Sequence, residues 1–587
     1  MTPSQDEAVA DILVRWQPYG RAGLLPCLID VQNHLGWLPP DVCAQVGEVL
    51  GVPLADVYGV ATFYSLLYTQ PVGRRIVRVC DDVACLANGS PALLEACRTA
   101  LGLAPGETSP DGLVTLEVHP CLGHCEHAPC LMVNDQVFGR FDAAAAERLA
   151  RAVRAGEAPP EVTAPADRPT WQAIPGYEAH LLRRVGQVDP TSLADYEAHG
   201  GYRALRAALR LEPAQIIEMV KASGLEGRGG AAFPTGVKWE SAARQPVTPR
   251  YVVCNADESE PGTFKDRVLM EGDPFAIVEA MTIAAYAVGA EQGYIYVRGE
   301  FRAAYERLAN AVAAAREAGY LGKRVLGSDF SFDIELRRGA GAYVCGEETA
   351  LFESIEGKRG MPRQKPPFPT ERGLFGRPTV INNVETFANV PHIVLNGPDW
   401  FRRIGPPDAP GPKLFCVSGA VERPGVYEGP MSVTLRQLVE VCGGVRPGRK
   451  IQAVLVGGAA GTFVPAEHLD TPVSFEALRA IGASLGSGAV LVVDDSVDML
   501  EVVERITRFF AHESCGKCYP CQLGTQRQWE IVRRWQAGHH RPDDAERLQD
   551  IAHAMREASI CGLGQTAASA LMSVLPLLAG RFEEDGS

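Results

Sequence analysis

At 587 residues and 63.1 kDa, the chain is long enough for about four domains of ordinary size. Its 46% apolar and 22% charged residues exclude a disordered or fibrous chain. A formal net charge of −15 and a pI near 5.4 give no general attraction for nucleic acid or anionic lipid.

In chain order, Asp6 and Glu7 stand where a secretory leader would be basic, and no apolar region follows; export is not expected. Residues 6–70 carry helical periodicity broken by Pro39-Pro40 and Pro53, a helical lead-in. Short apolar strands at 76–79 and 113–118 then flank a helical stretch near 91–102, a small α/β unit. Five prolines between 156 and 175 read as a semi-rigid linker. Beyond about 200, strands 251–254 and 293–297 alternate with Ala-rich helices 277–290 and 301–318, as in an α/β domain. Residues 413–497 combine short strands, Gly turns and one helix near 433–441, a β-grasp-like pattern, and 498–580 is helical. Gln565, Thr566, Ser569, Ser573 and Pro576 interrupt the uncharged run from Gly562 to Gly580, so a buried helix is expected there rather than a membrane span. No internal repeat is present, and the protein is expected to be soluble and cytoplasmic.

Sixteen cysteines are many for a reducing compartment, where clustered thiols bind metal or do redox chemistry more often than they pair as disulfides. Cys515-x2-Cys518-x2-Cys521 with Cys561 offers a triplet and a single thiolate, which suits a [4Fe–4S] cubane better than the paired loops of structural zinc. Cys80-x4-Cys85 and Cys121-x3-Cys125, each after a strand, are two separated pairs. They suit a [2Fe–2S] cluster, while His119, His124 and His127 nearby leave a mixed zinc site open. The remaining eight (Cys27, Cys43, Cys97, Cys130, Cys254, Cys345, Cys416 and Cys442) are dispersed and are read as ordinary buried thiols.

The loop Gly227-Arg228-Gly229-Gly230, followed by Lys238, can turn peptide N–H groups and two cations toward a phosphate, although Gly runs are also simply turns. Asp257, Glu258 and Glu260 follow a strand directly and could accept hydrogen bonds from ribose or ribityl hydroxyls; a solvated turn is the plain alternative.

Taken with Gly341-Ala342-Tyr343-Val344-Cys345-Gly346-Glu347-Glu348-Thr349, Lys365-Pro366-Pro367-Phe368-Pro369 and Asn382-Asn383-Val384-Glu385-Thr386, these motifs resemble the NADH-binding flavoprotein subunit of respiratory complex I. They also resemble its relatives, the diaphorase subunits of NAD-dependent formate dehydrogenases and NAD-reducing hydrogenases. Residues 6–155, with Phe63-Tyr64, both Cys pairs and Ala128-Pro129, resemble the thioredoxin-like [2Fe–2S] subunit that usually accompanies it as a separate chain. The resemblance implies an α/β multidomain protein. Its parts would be a helical lead-in with a thioredoxin-like [2Fe–2S] domain (1–155), a linker (156–199), an FMN- and NAD(H)-binding α/β domain (200–408), a β-grasp-like SLBB domain (409–497) and a helical [4Fe–4S] domain (498–587).

It further implies FMN held by Gly227, Arg228, Gly229, Lys238, Asn255, Asp257, Glu258, Tyr343, Gly346, Glu347, Asn382, Asn383 and Thr386, with NADH near Phe233, Glu260, Glu348, Lys365 and Phe368. No side-chain acid or base is then required for hydride transfer. The implied metal ligands are Cys80, Cys85, Cys121 and Cys125 for [2Fe–2S] and Cys515, Cys518, Cys521 and Cys561 for [4Fe–4S]. Three positions depart from the family pattern: Ala232 for Gly, Gln522 for Arg, and Glu240-Ser241 for Ser-Phe.

The expected function is therefore that of an NAD(H):acceptor diaphorase subunit. The intact first Cys group points to the β-type subunit of a formate dehydrogenase. Alternatives are the flavin subunit of an NAD-reducing hydrogenase, the NADH dehydrogenase module of complex I, or a non-catalytic electron-relay or ligand-binding scaffold. Its partners would be the iron–sulfur and catalytic subunits of a multisubunit oxidoreductase, with neither nucleic acid nor membrane insertion involved.

Overall fold

A computed structural model describes residues 3–157 and 171–584. Helices Pro3–Trp16, Leu24–Leu35, Pro40–Leu50 and Leu54–Ala61 form the lead-in. Its breaks fall where Pro39 and Pro53 take extended backbone at helix starts, since proline has no N–H to lose there. Strands β1 (Arg75–Cys80), β2 (Val114–His119), β3 (Cys130–Val133) and β4 (Gln136–Gly139) follow. They form a sheet of order β2-β1-β3-β4, with helices Ser90–Leu101 and Ala143–Arg154 packed on its own small core.

The segment expected as a linker over 156–199 departs from that reading. Only 158–170, with Pro159, Pro160, Pro165 and Pro169, lies outside the described residues. Strand β5 (Trp171–Ala173) joins a sheet, and Leu193–Ala198 is helical. The Glu428 carboxylate accepts from the N–H groups of His180, Leu181 and Leu182 at 2.6, 3.0 and 2.9 Å, which pins the stretch between them. Proline content gave no sign of a buried carboxylate more than two hundred residues away.

Strands β6 (Tyr251–Ala256), β7 (Gln292–Val297), β8 (Asp333–Arg338) and β9 (Thr379–Asn383) make an all-parallel sheet of order β8-β7-β6-β9. Val252 and Cys254 face one core, built with helix Pro274–Val288, whereas Val253 faces another, built with the lead-in helices. This is the two-residue alternation of a strand covered on both faces. The chain runs from β6 outward through β7 to β8 and returns on the other side as β9. The carboxyl ends of β6 and β9 therefore flank a topological switch point, where open α/β sheets bind ligands.

Strands β10 (Pro412–Gly419), β11 (Gly425–Pro430), β12 (Ile451–Val456), β13 (Thr462–Val464) and β14 (Ala489–Asp494) complete a sheet of order β13-β12-β14-β10-β11-β5. Besides the expected helix Leu435–Val441 it carries a second, Phe475–Ala480. Helices Met499–Glu513, Tyr519–Gln536, Asp544–Ala558, Gly562–Thr566 and Ser569–Glu584 close the chain. Among the described residues, no helix is long and apolar enough to cross a membrane.

Candidate flavin, nicotinamide and iron–sulfur sites

A cavity of about 410 Å³ opens at the switch point. Of the sequence-predicted residues, Gly229, Asn255, Asp257, Glu258, Glu260, Tyr343, Gly346, Glu347 and Asn383 line it. The β-grasp-like domain adds Gly457, Gly461, Gly486 and Ser487, and the last domain adds Gly562, Leu563 and Thr566. Sequence reasoning missed these because it treated the three domains as separate modules. The size is that of a pocket for a small cofactor.

The acidic lining would suit the ribityl hydroxyls of FMN. Gly230, at φ +119°, takes a backbone shape open to glycine, and Ala232 takes the left-handed region at φ +51°. The methyl of the Ala232 departure is thus accommodated at a cost of about 1–2 kcal/mol. Asp257 Oδ2 is buried without a partner, an acceptor awaiting a ligand hydroxyl. Burial pushes Asp257 up to about 8 and Glu260 up to about 7. Glu260 is held by Tyr343 Oη–H at 2.5 Å and by the Ala460 N–H at 2.8 Å. The Glu258 carboxylate accepts from Asp266 and Arg267 N–H, both at 2.8 Å, so it holds the start of helix Lys265–Gly272.

Other predicted residues stand behind the cavity. The buried Arg228 guanidinium turns away from it and donates to Pro410 O at 2.6 Å, while its N–H donates to Thr386 Oγ1 at 2.8 Å. Gly227 N–H closes the loop on Phe233 O at 3.0 Å, and Asn382 Oδ1 accepts from Trp239 Nε1 at 2.9 Å. Lys238 Nζ donates to Ile381 O at 3.0 Å. Of the two loop cations read as phosphate partners, Arg228 instead braces the loop.

An outer cluster joins five of the residues assigned to NADH or FMN. Lys365 Nζ pairs with Glu347 at 2.8 Å and Glu348 at 2.7 Å, Lys238 Nζ lies 3.9 Å from Glu348, and Lys238 sits over the Phe233 ring. Glu347, not Glu348, caps helix Glu348–Ile355, accepting from the Thr349 and Ala350 N–H groups at 2.8 and 2.9 Å. Phe233 and Phe368 are half-exposed, at 50% and 53%, so flat apolar surface is available at this mouth. Glu240 pairs with Lys221 and Arg244 and Ser241 bonds Thr370, which accounts for the Glu240-Ser241 departure as surface structure.

Cys515 and Cys518 are part-exposed, whereas Cys521 and Cys561 are buried. Burial pushes Cys521 up to about 12, and the other three thiols lie among the charges it feels. Among the described residues, no three of these four sulfurs lie within 4.8 Å of one another, as suits a wide cubane and not a single ion. Helix Gly562–Thr566, which starts directly after Cys561, lines the cavity, which sets this thiol group beside it. Gln522, the third departure, is exposed beside this group.

In the first domain, Cys121 and Cys125 Sγ are 3.8 Å apart. Asp82 joins them, and Cys80, Cys85 and Cys130 form a second group, each group within 4.8 Å. Cys130, read as a dispersed thiol, therefore belongs to this site. The β1–β3 register, which sets Val79 opposite Leu131, brings it there, and its closeness to Cys125 in sequence was the available signal. His119 and His124 are held neutral by burial, at about 4 and about 3, and His119 Nε2 engages Glu300 at 3.2 Å. Neither is in a ligating group.

Two buried arginines clamp this loop to the flavin domain. Arg267 pairs with Glu126 and donates to Gly123 O at 3.2 Å. Arg298 donates to Cys121 O, to Glu258 O at 2.9 Å and to Glu300 at 3.0 Å.

Comparison with known proteins agrees with this architecture. Models for a thioredoxin-like [2Fe-2S] ferredoxin (10–154), the Nuo51 FMN-binding domain (220–392), the SLBB domain (414–459) and the NADH-ubiquinone oxidoreductase-F iron-sulfur binding region (501–585) match in order. The NADH-quinone oxidoreductase F 2 subunit of Rhizobium meliloti is 50% identical over 408 residues, 69% of this chain and 97% of that protein. The NADP-reducing hydrogenase subunit HndC of Solidesulfovibrio fructosivorans is 44% identical over 68% of this chain and 82% of its own length. The NAD-reducing hydrogenase HoxS subunit alpha of Cupriavidus necator is 36% identical over 97% of this chain and 93% of its own. A crystal structure of an NAD⁺-reducing [NiFe]-hydrogenase in the H2-reduced state superposes with a TM-score of 0.83 at 34% identity, covering 96% of this chain and 93% of that one. With its [2Fe–2S], FMN and [4Fe–4S] domains in one polypeptide, this chain belongs to the family of NADH-oxidising flavin and iron–sulfur subunits found in NADH-quinone oxidoreductases and NAD(P)-reducing hydrogenases.

Proposed function

We propose that this chain is the NAD(H)-handling subunit of a cytoplasmic multisubunit oxidoreductase built like an NAD-reducing hydrogenase, with the terminal chemistry on partner subunits. The observation that carries this reading is the end-to-end correspondence with HoxS subunit alpha, over 97% of this chain; two NADH-quinone oxidoreductase F relatives match over only 69% and 71% of it. When bound, FMN supplies the exchange between two-electron hydride and single-electron chemistry.

Around it, Asn255, Asp257 and the Gly229–Gly230 peptide orient the cofactor, and Tyr343 with Glu260 forms one polar wall. Phe233, Phe368, Lys365 and Glu348 receive the nicotinamide nucleotide. Cys515, Cys518, Cys521 and Cys561 would hold the [4Fe–4S] cluster, and Cys80, Cys85, Cys121 and Cys125 the [2Fe–2S] cluster, each supplying one-electron steps. The side chains position the two rings and exclude water; none is needed as acid or base.

A second reading, the β-type subunit of a formate dehydrogenase, is favoured by the intact set of four cysteines in the first domain. Purification of the complex from its natural source separates the two. Nickel with hydrogen-dependent NAD⁺ reduction supports the first reading, and molybdenum or tungsten with formate-dependent reduction supports the second. A chain purified free of any partner overturns both.

A further inference from the structure

We propose that Cys130 is a reserve ligand of the first-domain cluster, able to replace Cys85 on its iron. Each iron of a [2Fe–2S] cluster takes two thiolates beside the bridging sulfides, so two thiols on one iron must lie in contact. Cys121 and Cys125 meet this at 3.8 Å. On the other side three thiols compete for two places, because Cys80, Cys85 and Cys130 all lie within 4.8 Å of one another. Cys85 and Cys130 Sγ are 3.5 Å apart. All three are 1% exposed, so no solvent-borne ligand reaches them.

The exchange is balanced without a change of oxidation state. The iron–sulfur bond to Cys85 breaks, one to Cys130 forms, and the Cys130 thiol proton passes to the Cys85 sulfur. The third donor beside Cys121 and Cys125 is instead the Asp82 carboxylate, a harder ligand less suited to this iron. Tolerance to ligand loss is therefore one-sided.

The inference rests on the [2Fe–2S] assignment, and the test separates the two. Full-length parent, Cys85→Ser, Cys85→Ser/Cys130→Ala and Cys121→Ser are assayed anaerobically for iron, acid-labile sulfide, FMN and the EPR spectrum of the reduced cluster. Parent and Cys85→Ser are expected to hold about six irons with all-thiolate spectra, whereas the double variant and Cys121→Ser fall to about four or show an oxygen ligand. Retained FMN and C-terminal iron report an intact fold. If Cys85→Ser does not fold, Cys80→Ser with and without Cys130→Ala gives the same comparison. Identical iron counts and spectra in the single and double variants overturn the reserve role, while about four irons plus one zinc in the parent overturns the [2Fe–2S] assignment itself.

Discussion

Replacing Arg298 by Met is predicted to release the first-domain cluster loop from the flavin domain. The guanidinium is 4% exposed and is the shared donor to Cys121 O, Glu258 O and Glu300. Methionine fills similar volume but leaves the Glu300 carboxylate, 5% exposed, without its cation. Breaking a buried pair from one side costs about 3–5 kcal/mol, which is about 100- to 4,000-fold in the equilibrium for local opening. Hydrogen exchange of peptides covering 119–127 reads this directly, because amides in such loops exchange through local opening. Arg298→Met should accelerate exchange by that factor while leaving strand β7 unchanged. The double variant Arg298→Met/Glu300→Gln should recover most of the protection, since it strands no charge. Exchange within a few-fold of parent in the single variant would refute the clamp.

Lys238→Ala should weaken FMN retention roughly ten- to a hundredfold, the worth of one charged hydrogen bond of ~1.5–3 kcal/mol; full flavin content after dilution and gel filtration would confine Lys238 to its bond with Ile381 O. Glu348→Gln removes the carboxylate that Lys238 and Lys365 share, leaving Lys365 on Glu347, and should raise the NADPH-to-NADH ratio of kcat/KM, because a carboxylate repels a 2′-phosphate that the cations attract. An unchanged ratio would assign coenzyme choice elsewhere. Burial raises Asp257 to about 8, above its unfolded range, so its contribution to stability is present at low pH and lost as pH rises toward 8. Flavin-free Asp257→Asn should therefore gain Tm over parent progressively from pH 5 to 8, and parallel Tm curves would contradict this.

The local chemistry of the site was legible where it lies in one short run. The C-terminal Cys triplet, the Gly229–Gly230 loop and the acids after β6 each stand out by residue type at close spacing, and the last two line the cavity. Short apolar runs between Ala-rich helices likewise marked β6 and β7, and Pro39 and Pro53 marked the lead-in breaks. What stayed hidden depends on distant segments meeting. The Gly457 and Gly486 walls of the cavity, the Arg298–Cys121 clamp and the Glu428 grip on His180–Leu182 join residues whose neighbours in sequence give no hint of a partner. Arg228 shows the reverse. Its place in a Gly-rich loop suggested phosphate, but its long side chain finds Pro410 O behind the loop.

Anaerobic addition of NADH to the purified full-length chain, followed by visible absorbance, reads hydride transfer to bound flavin. The protein is expected to be yellow, with about six irons per chain and a flavin band that bleaches on NADH and returns on adding an artificial acceptor. A chain that binds no flavin when supplied with FMN, or whose flavin is bleached by dithionite but not by NADH, would contradict hydride transfer from NADH to bound flavin.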